Sequence, residues 1–241
     1  AALTAMGPWP WDTEEVLAVV EWMRHYNADA AHPRKLRFYG FDRHRPSIDP
    51  LAPPPFDALL PWNGAERDET MAEHVRLILE HQPEGTRMVL WAHNDHVSRE
   101  QGGLQPMGAY LAEWLGRGYR AFGFAFARGG FRAIDWSRGP GRPGTVCAPT
   151  VGPPPPGTVE AALLRAGLPL LALDLWPGGG PALPRWLSAP RRMRETGVVF
   201  AGEEAMGRTL VLPNAYDALF FVEQTAPARP LLPARLATKT H

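Results

Sequence analysis

The stretch Arg87 to Val97, RMVLWAHNDHV, organises the predicted fold of this chain. Residues 88–92 form a continuous apolar run, which predicts a strand buried on both faces. The run ends abruptly in four polar residues: His93, Asn94, Asp95 and His96. Ligands of open α/β sheets bind beyond the carboxyl ends of the strands, and histidine is the side chain best suited to proton transfer near neutral pH. A site containing His93 is therefore predicted at this strand end.

Two other interpretations of these histidines remain open. Both rings could simply hydrogen-bond local backbone, as buried polar groups generally find partners. A metal site is less favoured, because in extended chain His93 and His96 point to opposite faces and zinc needs at least one more ligand. The chain contains no HExxH motif and no Cys/His cluster. We therefore expect no metal and no cofactor.

The composition predicts an ordinary globular protein. The chain has 241 residues, 45% of them hydrophobic, and equal numbers of cationic and anionic residues, 25 each. This balance, without a basic stripe, argues against nucleic acid or a membrane surface as a partner. The single Cys147 cannot form an internal disulfide, which fits a reducing compartment, and we expect a cytoplasmic location. No run of about 18 apolar residues is present to span a membrane.

Hydrophobic periodicity predicts alternating helices and strands. Helices are expected from Asp12 or Thr13, as N-cap, to about Asn27, and then over 66–80, Met107 to near Gly116, and 159–166. Strands are expected over 35–41, 88–92, 119–126, 168–175, around 198–199, and over 216–223. Residues 43–65 are rich in proline and predict an irregular loop. A helix that feeds a buried strand is typical of βα units, so the predicted fold is α/β with a central, mainly parallel sheet flanked by helices.

Asp42 is a second candidate for the site, because it ends the strand predicted over 35–41. The alternative is an aspartate that only caps a loop. Since parallel strands end at a common edge, we predict that Asp42 and His93 lie on the same edge of the sheet.

Motifs that are absent narrow the possible chemistry. The chain has no GxSxG nucleophile elbow and no GxxxxGK[ST] phosphate loop. Residues 139–144 formally match GxGxxG, but no apolar strand precedes them and no helix pattern follows. Cys147 is a weak candidate nucleophile without a histidine nearby in sequence. His and carboxylate chemistry remains, in which a general base activates water.

Several phrases of the sequence resemble the erythromycin esterase-like family, in that family's order. The most specific is Trp91-Ala92-His93-Asn94-Asp95-His96-Val97. Others are the TEEVL phrase at 13–17, FYGFD at 38–42, RD followed by MAE at 67–73, and YDAL at 216–219. The likeness covers nearly the whole chain, residues 1–241, as a single domain.

The resemblance implies an α/β fold with a central parallel sheet and metal-independent hydrolysis of an ester or macrolactone, an activity linked to macrolide resistance. It places His93 in the active site and His96 in the same pocket. Arg67 would hold the substrate or an oxyanion, because a guanidinium is always charged and donates in a fixed fork. Asp42 and Asn94 are the other expected substrate-binding residues.

The resemblance also implies a difference. The family's other catalytic groups, including a Glu and a His in a Gly-Glu-x-x-His-like phrase, lie upstream of the TEEVL helix. We therefore expect this chain to lack the first strand, the proposed base and much of the lid, and to open macrolides poorly or not at all. A non-catalytic relic or binding module is the alternative, and no residue argues for a third role in exopolysaccharide synthesis.

Overall fold

The computed structural model describes residues 9–42, 64–100, 103, 105–137, 144–176 and 183–231. Its α-helices are α1 (Glu14–Ala28), α2 (Gly64–Glu80), α3 (Asn94–Val97), α4 (Met107–Leu115), α5 (Val159–Leu164) and α6 (Leu212–Ala215). The strands are β1 (Phe122–Gly130), β2 (Ala133–Asp135), β3 (Val146–Cys147), β4 (Thr150–Val151), β5 (Leu170–Asp174), β6 (Arg191–Met193), β7 (Val199–Phe200), β8 (Arg208–Leu210) and β9 (Ala218–Thr225). Short 3₁₀ turns lie at Trp9–Trp11, Gly116–Gly118 and Glu203–Ala205.

The largest sheet has four strands in the order β4-β1-β9-β5. At its centre β1 and β9 are parallel, from the pair Phe122 and Ala218 to the pair Gly129 and Thr225. Both outer strands are antiparallel to their neighbours. Two smaller sheets have the orders β3-β2-β7 and β6-β8. In the four-stranded sheet, the parallel pair β1 and β9 is therefore flanked by the antiparallel edge strands β4 and β5.

The class α/β is confirmed, but the prediction of a mainly parallel sheet is wrong. The sheets are mixed, and most strand pairs among the described residues are antiparallel. An apolar run looks the same whichever way the strand runs. Strand direction is set by the connections between strands, which local sequence does not reveal.

The predicted strands over 35–41 and 88–92 are extended segments that form no strand ladder within the described part of the chain. The prediction that 88–92 is buried on both faces is also wrong. Met88, Leu90 and Ala92 pack against the core, whereas Val89 is 94% exposed and Trp91 57% exposed. The core lies on one side of this segment only, so its side chains alternate between half-buried and exposed.

The core fills the space between one face of the four-stranded sheet and helices α2, α4 and α5. Its largest buried side chains include Met71, Val75, Met107, Leu111, Val159, Tyr216, Leu219 and Phe221. A Cβ atom at Gly123 would come within 3.0 Å of Leu219 and Tyr216, so glycine lets β1 approach them closely. The opposite face of the sheet exposes apolar residues: Phe122, Phe124 and Leu170.

The long helices match their predicted positions. Thr13 caps α1 by accepting a hydrogen bond from the Val16 amide at 3.3 Å. The short strands β2, β3, β4, β6 and β8 were not predicted, because two or three residues carry no measurable periodicity. Most of the predicted loop at 43–65 and of the GxGxxG match at 139–144 lies outside the described residues. Among the described helices, none has the length and apolar character needed to cross a bilayer.

Candidate active site

His93 lies at the N-terminus of the short helix α3. Its Nδ1 accepts a hydrogen bond from the backbone amide of Asp95 at 3.2 Å, which caps the helix. Its Nε2 lies 2.8 Å from the carbonyl oxygen of Thr196, to which it donates. A ring that accepts at Nδ1 and donates at Nε2 is the neutral Nε2–H tautomer. One of its two partners is local, and the other comes from a distant part of the chain.

Three further side chains surround His93. The Asp95 Oδ2 atom lies 3.5 Å from the Nδ1 atom of His93. One carboxylate oxygen each of Asp95 and Glu195 lies with a His93 ring nitrogen inside a 4.8 Å cluster. Arg208 contacts both acids, with Nη1 at 3.2 Å from Asp95 Oδ1 and Nε at 3.2 Å from Glu195 Oε2. The cluster joins α3, the segment that follows β6, and the start of β8.

The hydroxyl of Tyr216 holds the guanidinium of Arg208 in place. Its hydroxyl accepts a hydrogen bond from Arg208 Nη2 at 3.0 Å and donates to the carbonyl of Asn94 at 3.4 Å. Burial raises the pKa of this phenol to about 12, so the hydroxyl keeps its proton. Tyr216 thereby connects α3 to β8 and fixes the orientation of the cation.

The two acids of the cluster have opposite pKa shifts. Burial, together with a hydrogen bond to the Asp95 side chain and its negative charge, raises the pKa of Glu195 to about 8. Burial opposes ionisation of Asp95 as well, but His93, Glu195 and Arg208 together hold its pKa well below its usual range. At neutral pH Glu195 therefore carries a proton and Asp95 is ionised.

The pKa of His93 is raised above its ordinary value. Burial acts against the imidazolium, but Asp95, the Thr196 carbonyl and the charge of Glu195 outweigh it. When the ring is protonated, Nδ1 becomes a donor, and Asp95 Oδ2 is the acceptor within reach. The site thus contains a proton donor, Glu195, next to a histidine that can take up a proton.

His93, Asp95 and Glu195 together are the kind of residues that bind a metal ion. Glu195 is a carboxylate beside His93 that the local sequence did not reveal, and His96 is not part of this group. Two observations fit a metal ion poorly. Both ring nitrogens of His93 are engaged by protein groups, and Arg208 already places a positive charge against both carboxylates.

Asn94, expected to bind substrate, uses its side-chain amide to join α3 to β1. Its Nδ2 donates to the carbonyl of Phe124 at 2.7 Å, and its Oδ1 accepts from the Phe124 amide at 3.0 Å. This pair of bonds imitates the pairing of a neighbouring strand. The amide therefore positions the loop that carries His93.

His96 points to a different partner from His93. Its Nδ1 lies 2.8 Å from Asp68 Oδ1, and the same oxygen accepts a hydrogen bond from the backbone amide of Met107 at 2.8 Å. Asp68 thus links α2, α3 and the start of α4. A catalytic role for His96 stays a prediction.

Arg67 and Asp42, two other expected site residues, pair with each other. The guanidinium donates from Nε to Oδ1 at 2.9 Å and from Nη2 to Oδ2 at 2.6 Å, a bidentate arrangement. The hydrogen bonds to Asp42 raise the pKa of Arg67 further. The structure thus brings these two predicted residues together, and their contact with substrate stays a prediction.

Sequence reasoning missed Glu195, Arg208 and Tyr216. Tyr216 lies in the YDAL phrase of the family resemblance, so a signal for it existed. Glu195 and Arg208 stand in no recognised phrase and flank short strands without periodicity. They come together with His93 only in the folded chain, where β6 pairs with β8 and Arg208 contacts Asp95 of α3.

Comparison with known proteins identifies the family. The family model described as "Erythromycin esterase" matches residues 1–52 and 57–225. A curated relative from Bacillus subtilis (strain 168), named "Putative hydrolase YbfO", is 24% identical over 172 residues, which are 67% of this chain and 35% of the relative. The chain thus spans about a third of the length of that relative.

Two solved structures share the fold. A crystal structure named as a succinoglycan biosynthesis protein has a TM-score of 0.71 and 18% identity, covering 90% of this chain and 72% of the other. A Bacillus cereus protein has a TM-score of 0.58 and 20% identity, covering 70% of this chain and 40% of the other. Identities this low show the fold alone. With the family match over most of its length, the chain belongs to the erythromycin esterase family of hydrolases.

Proposed function

We propose that this chain carries the acid/base site of a carboxylic-ester hydrolase, with His93 as base, Glu195 as acid, and an ester or macrolactone as substrate. The observation that carries the proposal is the close approach of the Glu195 carboxyl, whose pKa is raised to about 8, to the ionised Asp95 and to a ring nitrogen of His93. Pairs of titratable groups whose pKa values are pushed apart are typical of acid/base catalysis. Family membership supports hydrolysis as the reaction.

The proposed reaction uses one water molecule. His93 Nδ1 accepts a proton from the water, whose oxygen attacks the ester carbonyl carbon and forms a tetrahedral intermediate. The bond from carbon to the alcohol oxygen then breaks, and Glu195 gives its proton to the departing oxygen. The proton on His93 finally returns to Glu195, so the acid and the base are both regenerated.

Asp95 and Arg208 complete the charge balance in this proposal. Asp95 Oδ2 accepts a hydrogen bond from the protonated Nδ1 of the imidazolium, which stabilises the charged ring. Arg208 offsets the charges of Asp95 and of the ionised Glu195. The positive charge of the site then comes from an arginine, and the proposed reaction is metal-independent.

One observation favours the alternative of a non-catalytic scaffold. Both ring nitrogens of His93 are already hydrogen-bonded to the protein, so water must displace the Asp95 amide to reach Nδ1. If that displacement does not occur, the cluster only holds α3 to the segment after β6.

The test uses the purified chain at a concentration above that of the substrate, so that a single slow turnover is detectable. The substrates are a nitrophenyl ester, followed by absorbance, and erythromycin, followed by the gain of one water in its mass. His93→Ala, His96→Ala and Glu195→Gln are compared with Glu204→Gln, which alters an exposed carboxylate.

We expect His93→Ala and Glu195→Gln to lose hydrolysis by about 10²-fold or more, the usual contribution of a general acid or base. Glu204→Gln should keep it. Hydrolysis that survives both substitutions would refute the proposed roles. A chain that hydrolyses neither ester would favour the scaffold alternative, and the result for His96→Ala decides its predicted role.

A further inference from the structure

Three consecutive residues, Arg194 to Thr196, supply two of the groups around His93. Glu195 brings its carboxyl into the cluster, and the Thr196 carbonyl accepts the Nε2 proton of the ring at 2.8 Å. The segment follows β6 directly and precedes β7. The contacts that fix the backbone of this segment therefore also determine whether Glu195 lies next to His93.

The side chain of Arg194 is buried and anchors the segment to the main sheet. It is 8% exposed and donates to the carbonyls of Ala127 and Gly152, the latter from Nη1 at 3.3 Å and from Nη2 at 3.2 Å. Its Nη2 also lies 3.4 Å from a carboxylate oxygen of Glu203. These contacts hold the start of the segment against the end of β1.

The backbone of Arg194 is held by a buried acid that the proposed reaction does not use. Glu160, in the first turn of α5, is 0% exposed, and its Oε1 accepts the Arg194 amide proton at 2.7 Å. Its Oε2 is buried without a hydrogen-bond partner among the described residues. Burying a carboxyl with one oxygen unpaired costs free energy of folding. We therefore expect the hydrogen bond that Oε1 accepts from the Arg194 amide to have a role.

We propose that Glu160 is a positioning residue, which places Glu195 and the Thr196 carbonyl against His93 by fixing the Arg194 amide. Glu160 forms no hydrogen bond or ion pair with His93, Asp95, Glu195 or Arg208, all of which the structure describes, and it acts through the backbone of Arg194. The proposal rests on the proposed function for the statement that Glu195 and His93 react, but the placement itself is a property of the folded chain.

The effect of positioning is visible without turnover. If the segment moves away, Glu195 loses contact with Asp95, and its pKa falls from about 8 toward that of an ordinary glutamate. His93 loses its hydrogen bond to the Thr196 carbonyl, so its pKa falls toward the unperturbed value of about 6.5. A displacement of Arg194 therefore lowers the pKa of Glu195 and that of His93.

Burial raises the pKa of Glu160, so the two substitutions are chosen to separate geometry from the ionisable carboxyl. Glu160→Gln keeps a carbonyl oxygen at the position of Oε1 and removes the ionisable group. Glu160→Asp keeps the carboxyl but, being one methylene shorter, withdraws the acceptor from the Arg194 amide. Leu163→Ala, in the same helix, is the control for a general loosening of α5. Leu163 is buried in the core, and its apolar side chain cannot hydrogen-bond to residues 194–196.

The experiment follows the titration of ¹³C-labelled glutamate carboxyls and ¹⁵N-labelled histidine rings by NMR, after the spectra show that each variant is folded. We expect Glu160→Asp to lower the pKa of Glu195 by about one unit or more and to lower the pKa of His93 as well, and we expect Glu160→Gln and Leu163→Ala to leave both nearly unchanged. Unchanged titrations in Glu160→Asp would overturn the proposal, as would equal shifts in Glu160→Gln or Leu163→Ala. Absence of ester hydrolysis would refute the proposed function and leave this result standing.

Discussion

The side chains of Asp95 and Glu195 are far apart in the sequence, but in the folded chain a carboxylate oxygen of each lies within 4.8 Å of the other. Two carboxylates this close repel each other if both are ionised, so one of the two acids keeps its proton. Arg208 lies 3.2 Å from an oxygen of each and decides how much negative charge the pair can carry. The predictions below follow from this pair and from its supports.

The rate of ester hydrolysis should have a narrow bell-shaped pH dependence. The rising limb reports deprotonation of His93, and it should lie above the unperturbed value of about 6.5, because the pKa of this ring is raised. The falling limb reports deprotonation of Glu195, whose pKa is about 8. A pH series on the nitrophenyl ester measures both limbs. In Glu195→Gln the falling limb should disappear; its persistence would assign it to another group.

Protein stability should decrease as the pH rises through the window set by Glu195. The folded chain holds the proton up to a pH of about 8, whereas the unfolded chain loses it near 4.3. Between these values the folded state binds more protons, so the free energy of unfolding falls with rising pH. Urea titrations from about pH 5 to 9 measure this slope. Glu195→Gln should give a flatter slope than the wild-type chain, and an identical slope would contradict the raised pKa.

Arg208→Met should destabilise the fold strongly. It removes the cation that compensates two acids in a cluster where the Arg208 side chain is 17% exposed. Breaking a buried ion pair from one side costs on the order of 3 kcal/mol, because the remaining charge stays uncompensated. Urea unfolding near neutral pH measures the loss, and the loss should shrink in strong acid as Asp95 becomes protonated, since Glu195 already carries its proton at neutral pH. Arg185→Met, at an exposed arginine, is the matched control and should change stability little.

Asn94→Ala should destabilise the protein by about 1–3 kcal/mol, because the Phe124 amide and carbonyl each lose a partner. Asn94→Asp should cost at least as much, since it turns the donor that faces the Phe124 carbonyl into a negatively charged acceptor. Thermal or urea unfolding measures both, with Asn214→Ala at an exposed position as control. If Asn94→Ala instead leaves stability unchanged and only raises KM, Asn94 would be the substrate-binding residue that the sequence predicts.

The sequence by itself determined the helices and the location of His93. Helices α1, α2 and α4 follow from apolar residues at helical spacing, and Thr13 identifies the start of α1, because these signals act over a few neighbouring residues. The WAHNDHV phrase likewise identifies His93 by its neighbours alone. Local patterns are sufficient wherever the physical cause is itself local.

Only the tertiary structure decided strand direction and the partners of His93. An apolar run such as 170–174 contains nothing that distinguishes parallel from antiparallel pairing, and β5 is antiparallel to β9. Glu195 and Arg208 lie in short segments that carry no motif, and they reach His93 only because β6 pairs with β8 beside α3. The pKa of Glu195 is raised by burial and by Asp95, neither of which exists until the chain has folded.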